Sequence, residues 1–107
     1  MIDWTPKELK THLDESKAVF LKLWKPGCGA CKLSEPATER LEAKYAAGGD
    51  EPISFAKVDV SAHPEMLEIS ESEVLPAFFL FKGGAMQGKV IGFKGIKKLQ
   101  ELFDAEA

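Results

Sequence analysis

Two cysteines and two histidines are all that 107 residues supply, which leaves little room for a metal centre. Zinc takes four ligands. Beyond the two thiols the chain offers only His12 and His63, which fall in separate predicted elements and far from zinc-finger spacing. No stretch approaches the roughly 20 consecutive apolar residues that span a bilayer, so no membrane association is expected. Positive charge is not in excess: 14 Lys and Arg stand against 17 Asp and Glu, the formal net charge is −3, and the basic residues are scattered. That balance gives no electrostatic reason to expect a nucleic-acid partner or an anionic membrane. The amino terminus, MIDWTPKELK, has neither a basic n-region nor an apolar h-region, so a cytoplasmic protein without a signal peptide is expected. Internal repeats, low-complexity tracts and linkers are also missing. Splitting a chain this short would leave pieces too small to bury a core, so residues 1–107 are expected to form one monomeric domain.

What the sequence does contain is a clear alternation of elements. DWTPKELKTHL opens a helix: Thr5 can cap it, Pro6 suits the first helical position and Glu8 completes a capping box. AVFLKLW (18–24) is almost wholly apolar and rich in strand formers, which predicts a central strand covered on both faces. Residues 29–45 read as one long helix, with Leu33, Ala37, Leu41 and Tyr45 repeating every fourth position and Pro36 kinking it. AAGGDEP (46–52) reads as a loop. ISFAKVDV (53–60) is a second strand, HPEMLEIS a short helix, and PAFFLFK (76–82) a third strand. GGAMQG then turns the chain into a fourth strand, KVIGF, as an antiparallel hairpin. IKKLQELFDA closes the chain as an amphipathic helix with Ile96, Leu99, Leu102 and Phe103 inward. This order predicts an α/β fold, a mixed central sheet of four to five strands with helices on both faces.

The two cysteines, Cys28 and Cys31, stand in LWKPGCGACK, directly after the central strand. A bridge between them would close a very short loop and remove little entropy from the unfolded chain, so a structural staple explains them poorly. A metal half-site or a redox couple remains. Cys28 should sit at the amino-terminal end of the following helix, where backbone N–H groups and the helix dipole favour a thiolate. Cys31 falls one turn further in, on the same side and more covered. That arrangement suits a nucleophile that attacks a substrate disulfide and a second thiol that resolves the mixed disulfide. Two plain core cysteines are the bland alternative, and glycine on either side of Cys28 argues against it.

These residues resemble the thioredoxin family over nearly the whole chain. Trp24 stands four before Cys28, Cys28-Gly29-Ala30-Cys31-Lys32 looks like the family's redox motif, and Pro36 matches the kink proline of its active-site helix. FAKVDVSAHP is similar to the family's central strand and following loop, VLPAFFLFKGG to its cis-proline segment and VIGF to the glycine-containing loop opposite the cysteines. The resemblance implies the thioredoxin fold and thiol–disulfide exchange at Cys28 and Cys31 with no bound cofactor. It also implies a cis Leu75–Pro76 bond, and a peptide groove made by Trp24, Leu75, Pro76, Ile91, Gly92 and Phe93. The partners it implies are disulfide-containing protein substrates and a thioredoxin-reductase-like electron donor. An oxidase- or isomerase-leaning relative in an oxidising compartment is a second reading. A binding module that keeps only the fold is a third, opposed by the intact Cys28, Cys31, Trp24 and Pro76.

Three positions depart from the family pattern. Gly27 replaces the tryptophan usual before the first cysteine, and Ala30 replaces the motif's interior proline, a change that leans toward a more oxidising pair. Lys22 occupies the position of a buried carboxylate. Strand alternation puts Lys22 on one face with Phe20 and Trp24, and Lys57 on one face with Asp59, so Asp59 could neutralise one of the two lysines. Lys22, Lys57 and Asp59 are therefore the candidates for tuning the thiols. Lys22 either lies near them as a cation that favours thiolate or snorkels to solvent; the sequence leaves both open.

Overall fold

Residues 18–24 hold the centre of the sheet because every side chain up to Leu23 is buried there. In the computed structural model, which describes residues 1–47 and 51–104, five strands pair: β1 (Ile2–Asp3), β2 (Ala18–Trp24), β3 (Ile53–Asp59), β4 (Ala77–Lys82) and β5 (Ala85–Ile91). Their order is β1-β3-β2-β4-β5. β3 runs parallel to both β1 and β2, β4 is antiparallel to β2, and β5 is antiparallel to β4. The mixed sheet expected from the alternation is present. Its edge strand β1 was not expected, since two residues are too few to show a period.

Period-two alternation divides the core. Val19, Leu21 and Leu23 point to the face that Trp4 and Leu9 cover from α1 (Pro6–Asp14) and its approach, and Met66 from a 3₁₀ turn (Pro64–Ile69). Phe20 points to the other face, against Phe55, Phe78 and Phe103, with ring centroids 4.9, 5.9 and 5.5 Å away. Leu41 of α3 (Glu35–Tyr45) and Leu99 of α4 (Ile96–Asp104) close that side. Each such side chain contributes on the order of 1.5–3 kcal/mol by leaving water. The capping box on α1 forms as expected, with Thr5 Oγ1 accepting from Glu8 N at 3.2 Å and Glu8 Oε1 from Thr5 N at 3.1 Å.

Two expectations are corrected. Residues 29–45 are not one kinked helix: α2 (Gly29–Leu33) ends at Ser34 and α3 begins at Glu35. Pro36 has no N–H for the carbonyl of Lys32 and its ring crowds that turn, so the break falls two residues before it. Leu33 accordingly leaves the apolar stripe and is 73% exposed, while Cys31 and Ser34 turn inward. The hairpin turn is also tighter than GGAMQG, because Gly83 and Gly84, with φ of 60° and 82°, suffice, and β5 already starts at Ala85. The loop expected over 46–52 includes residues 48–50, which lie outside the described residues.

Candidate redox site

β2 delivers Trp24 to the end of the sheet, and Lys25-Pro26-Gly27 turns the chain into α2. Gly27 has φ +79°, a left-handed conformation that costs an L side chain roughly 1–2 kcal/mol. The family's tryptophan would be strained here even though no atom lies within 4 Å of an added Cβ. Cys28 is the N-cap of α2, and its Sγ accepts a hydrogen bond from Cys31 N at 3.1 Å. Cys28 and Cys31 form a disulfide, with Cα atoms 5.2 Å apart. Cys28 is half-buried, whereas Cys31 is 3% exposed.

Lys22 lies under this pair. It is 3% exposed, and its Nζ donates to the carbonyl oxygen of Cys31 at 2.9 Å. The geometry resolves the choice left open by the sequence: Lys22 does not snorkel. Ser34 Oγ donates to the same carbonyl at 2.7 Å, so the carbonyl at the helix break is held by two side chains. In the parallel register Lys22 stands beside Lys57, and like charges on neighbouring strands repel. The two ammonium groups take different partners. Lys57 Nζ sits 4.6 Å from the centroid of the Trp24 ring, a cation–π contact worth on the order of 0.5–2 kcal/mol.

Asp59 does not neutralise either lysine. Its Oδ1 accepts from Ser61 N at 2.8 Å and Ser61 Oγ at 2.6 Å, because the chain turns directly after β3 and brings Ser61 back to it. Those Ser61 hydrogen bonds hold the carboxyl below the usual aspartate range. The anion that acts on Lys22 is Glu35, which the sequence reading missed. A signal was available, since Glu35 is four residues after Cys31 and such a pair shares a helical side. Burial pushes the Lys22 ammonium below the usual lysine range, Glu35 opposes that shift and Lys57 adds to it.

The lowered lysine fixes a pH dependence. Between the lowered value and 10.5, the ordinary lysine value, the folded chain binds fewer protons than the unfolded one. Folding stability therefore rises with pH across that window, by about 1.4 kcal/mol for each unit of lowering. Urea titrations of the disulfide form from pH 7 to 10.5 should show wild type gaining stability relative to Lys22→Met. A constant difference between the two would place Lys22 in solvent.

The residues expected to form a groove gather at the same end of the sheet. Leu23 pairs with Ala77, which puts Pro76 level with Trp24, and Gly92 N donates to Pro76 O at 2.7 Å. The Leu75–Pro76 bond is cis, as expected. Pro76 is buried, while Leu75, Ile91, Gly92 and Phe93 are half-buried. The cavity against the disulfide, about 360 Å³, includes Trp24 but none of residues 75, 76, 91 or 92. Neither histidine lines the cavity at the pair: His12 stacks on Trp4 at 4.1 Å and His63 lies in the turn after β3.

Comparison with known proteins follows the same outline. A family model described as Thioredoxin matches residues 1–105. The thioredoxin of Mycolicibacterium smegmatis is 34% identical over 94 residues, covering 87% of this chain and 82% of its own length. The bifunctional thioredoxin reductase/thioredoxin of Mycobacterium leprae (strain TN) is 30% identical over 83 residues, which are 78% of this chain and 17% of that protein. Among solved structures, Plasmodium falciparum thioredoxin superposes with a TM-score of 0.82 at 23% identity, covering 100% of both chains, a likeness of fold. A match along almost the whole chain, with the Cys-x-x-Cys pair bridged where the fold presents it, places the chain in the thioredoxin family and makes it a thiol–disulfide oxidoreductase.

Proposed function

We propose that Cys28 is the attacking thiol and Cys31 the resolving one in the reduction of disulfides in protein substrates. The Cys28 thiolate attacks one substrate sulfur, a mixed disulfide forms and the other sulfur leaves as a thiolate. Cys31 then attacks Cys28, the mixed disulfide breaks and the second substrate thiolate departs. Two electrons pass from the dithiol to the substrate, and the leaving sulfurs take up the two protons. The observation that carries the assignment is the asymmetry of the pair: Cys31 is sealed at 3% exposure while Cys28 is reachable. The Cys31 N–H aimed at Cys28 Sγ would also stabilise a thiolate there.

Substrate lies across Trp24, Leu75, Pro76, Ile91 and Gly92, and the chain works as a single-domain monomer in the cytoplasm, carrying electrons for cell redox homeostasis without a bound cofactor. A reductase of the thioredoxin-reductase kind recharges the pair, a reading supported by the fused relative from Mycobacterium leprae. The buried ammonium beside Cys31 favours the dithiol form, which supports a second direction, net disulfide formation. Alkylation of the reduced protein near neutral pH tests the assignment. Cys28 should react at least about tenfold faster than Cys31, as expected of an accessible thiolate beside a buried thiol; equal rates would overturn it.

A further inference from the structure

The cavity against the disulfide is strongly cationic in a chain that is not. Lys22, Lys25, Lys32 and Lys57 line it with a single carboxylate, Glu35, although the chain as a whole carries a net charge of −3. Among the described residues none of the four lysines forms an ion pair, whereas Lys10, Lys17 and Lys98 elsewhere on the surface do. Lys22 is buried, and Lys57 is committed to the Trp24 ring. Their charge is thus held at the site by the fold rather than left on mobile tips. The volume, about 360 Å³, falls in the range of small-ligand sites. Gly27 and Gly29 line the cavity on either side of Cys28, and an added Cβ at either would meet nothing within 4 Å, so the wall beside the attacking sulfur is open enough for side groups of a substrate to enter.

We infer that this cavity selects disulfide substrates that carry carboxylates next to their sulfur atoms, with Lys25, Lys32 and Lys57 as specificity-determining residues. The inference rests on the exchange reaction proposed above and leaves its chemistry unchanged. The substrate disulfide takes two electrons and two protons from the Cys28–Cys31 dithiol and leaves as two thiols. A cleft of one sign raises the local concentration and on-rate of the opposite sign, by about 10- to 1,000-fold at low salt. The carboxylates can belong to a small disulfide or to acidic residues flanking a cystine in a polypeptide.

The test uses the reduced full chain with three small disulfides: dithiodipropionate, 2-hydroxyethyl disulfide and cystamine, which are anionic, neutral and cationic. Each second-order rate is divided by that of dithiothreitol with the same compound, which removes leaving-group differences. A second arm compares cystine-bridged peptides flanked by Asp or by Lys. The normalised preference for the anionic over the cationic partner should reach at least about tenfold at low ionic strength. It should shrink with added salt and fall several-fold in both Lys25→Gln and Lys57→Gln. A preference in the small-molecule arm, the peptide arm or both supports the inference and names the source of the carboxylate. Equal normalised rates in both arms, with the neutral disulfide still reduced, overturn the inference and leave the exchange reading standing. No reduction of any disulfide overturns the exchange reading itself.

Discussion

Cys28→Ser should lose at least about 10⁴-fold in dithiothreitol-driven reduction of a disulfide-bonded protein such as insulin, the scale seen when a covalent nucleophile is removed. Serine keeps the N-cap hydrogen-bonding capacity of Cys28, so the fold and the cavity should survive while the chemistry does not. Cys31→Ser should behave differently. Attack by Cys28 remains possible, resolution does not, and the protein should accumulate as a mixed disulfide with its substrate. The contrast follows from position. Cys28 caps α2 and is half-buried at the cavity, whereas Cys31 lies within α2, 3% exposed, with its carbonyl bonded to the Lys22 ammonium. Trapping by Cys28→Ser instead, or retained turnover in that variant, would reverse the roles.

Replacing Lys22 should shift the reduction potential without removing activity. Its ammonium is bonded to the carbonyl of Cys31, and both residues line the same cavity, which places a positive charge beside the redox pair. A nearby cation stabilises a thiolate, and stabilising the reduced form makes the disulfide easier to reduce and the couple more oxidising. A differential interaction of about 1.4 kcal/mol changes the equilibrium tenfold, or about 30 mV for a two-electron couple. Tens of millivolts are therefore expected. Lys22→Asp should move the couple to a more negative potential, and Lys22→Met by less in the same direction, since it removes the cation without adding an anion. Ser34 Oγ keeps its bond to the Cys31 carbonyl in both variants, so the helix break should hold while the electrostatics change.

Much of this was legible in the chain, and the illegible parts have physical reasons. The run AVFLKLW announced a strand buried on both faces because only a central strand tolerates so few polar residues. The α1 cap was written in Thr5, Pro6 and Glu8. Pattern alone could not settle Lys22: the same alternation that turns it inward with Phe20 is compatible with a long side chain escaping to solvent. What decided it was a carbonyl at the α2–α3 break that needed a donor. Leu33 misled for a related reason, since its helical spacing with Ala37 and Leu41 assumes a continuous helix and Ser34 interrupts it. Facing alone makes Asp59 a candidate to neutralise one of the two lysines, but Ser61, two residues on, is the nearer partner. The cationic cavity assembles lysines from β2, β3, the loop and α2, so no single segment of sequence displays it.

Equilibration with glutathione buffers of graded ratio, followed by acid quench and thiol counting, measures the Cys28–Cys31 couple directly in wild type, Lys22→Met and Lys22→Asp. The expected result is one reversible two-electron transition in each protein, with midpoints falling in that order and separated by tens of millivolts overall. A pair that fails to equilibrate with the buffer would contradict the redox role of the two cysteines, and three coincident midpoints would contradict the tuning of that pair by the buried lysine.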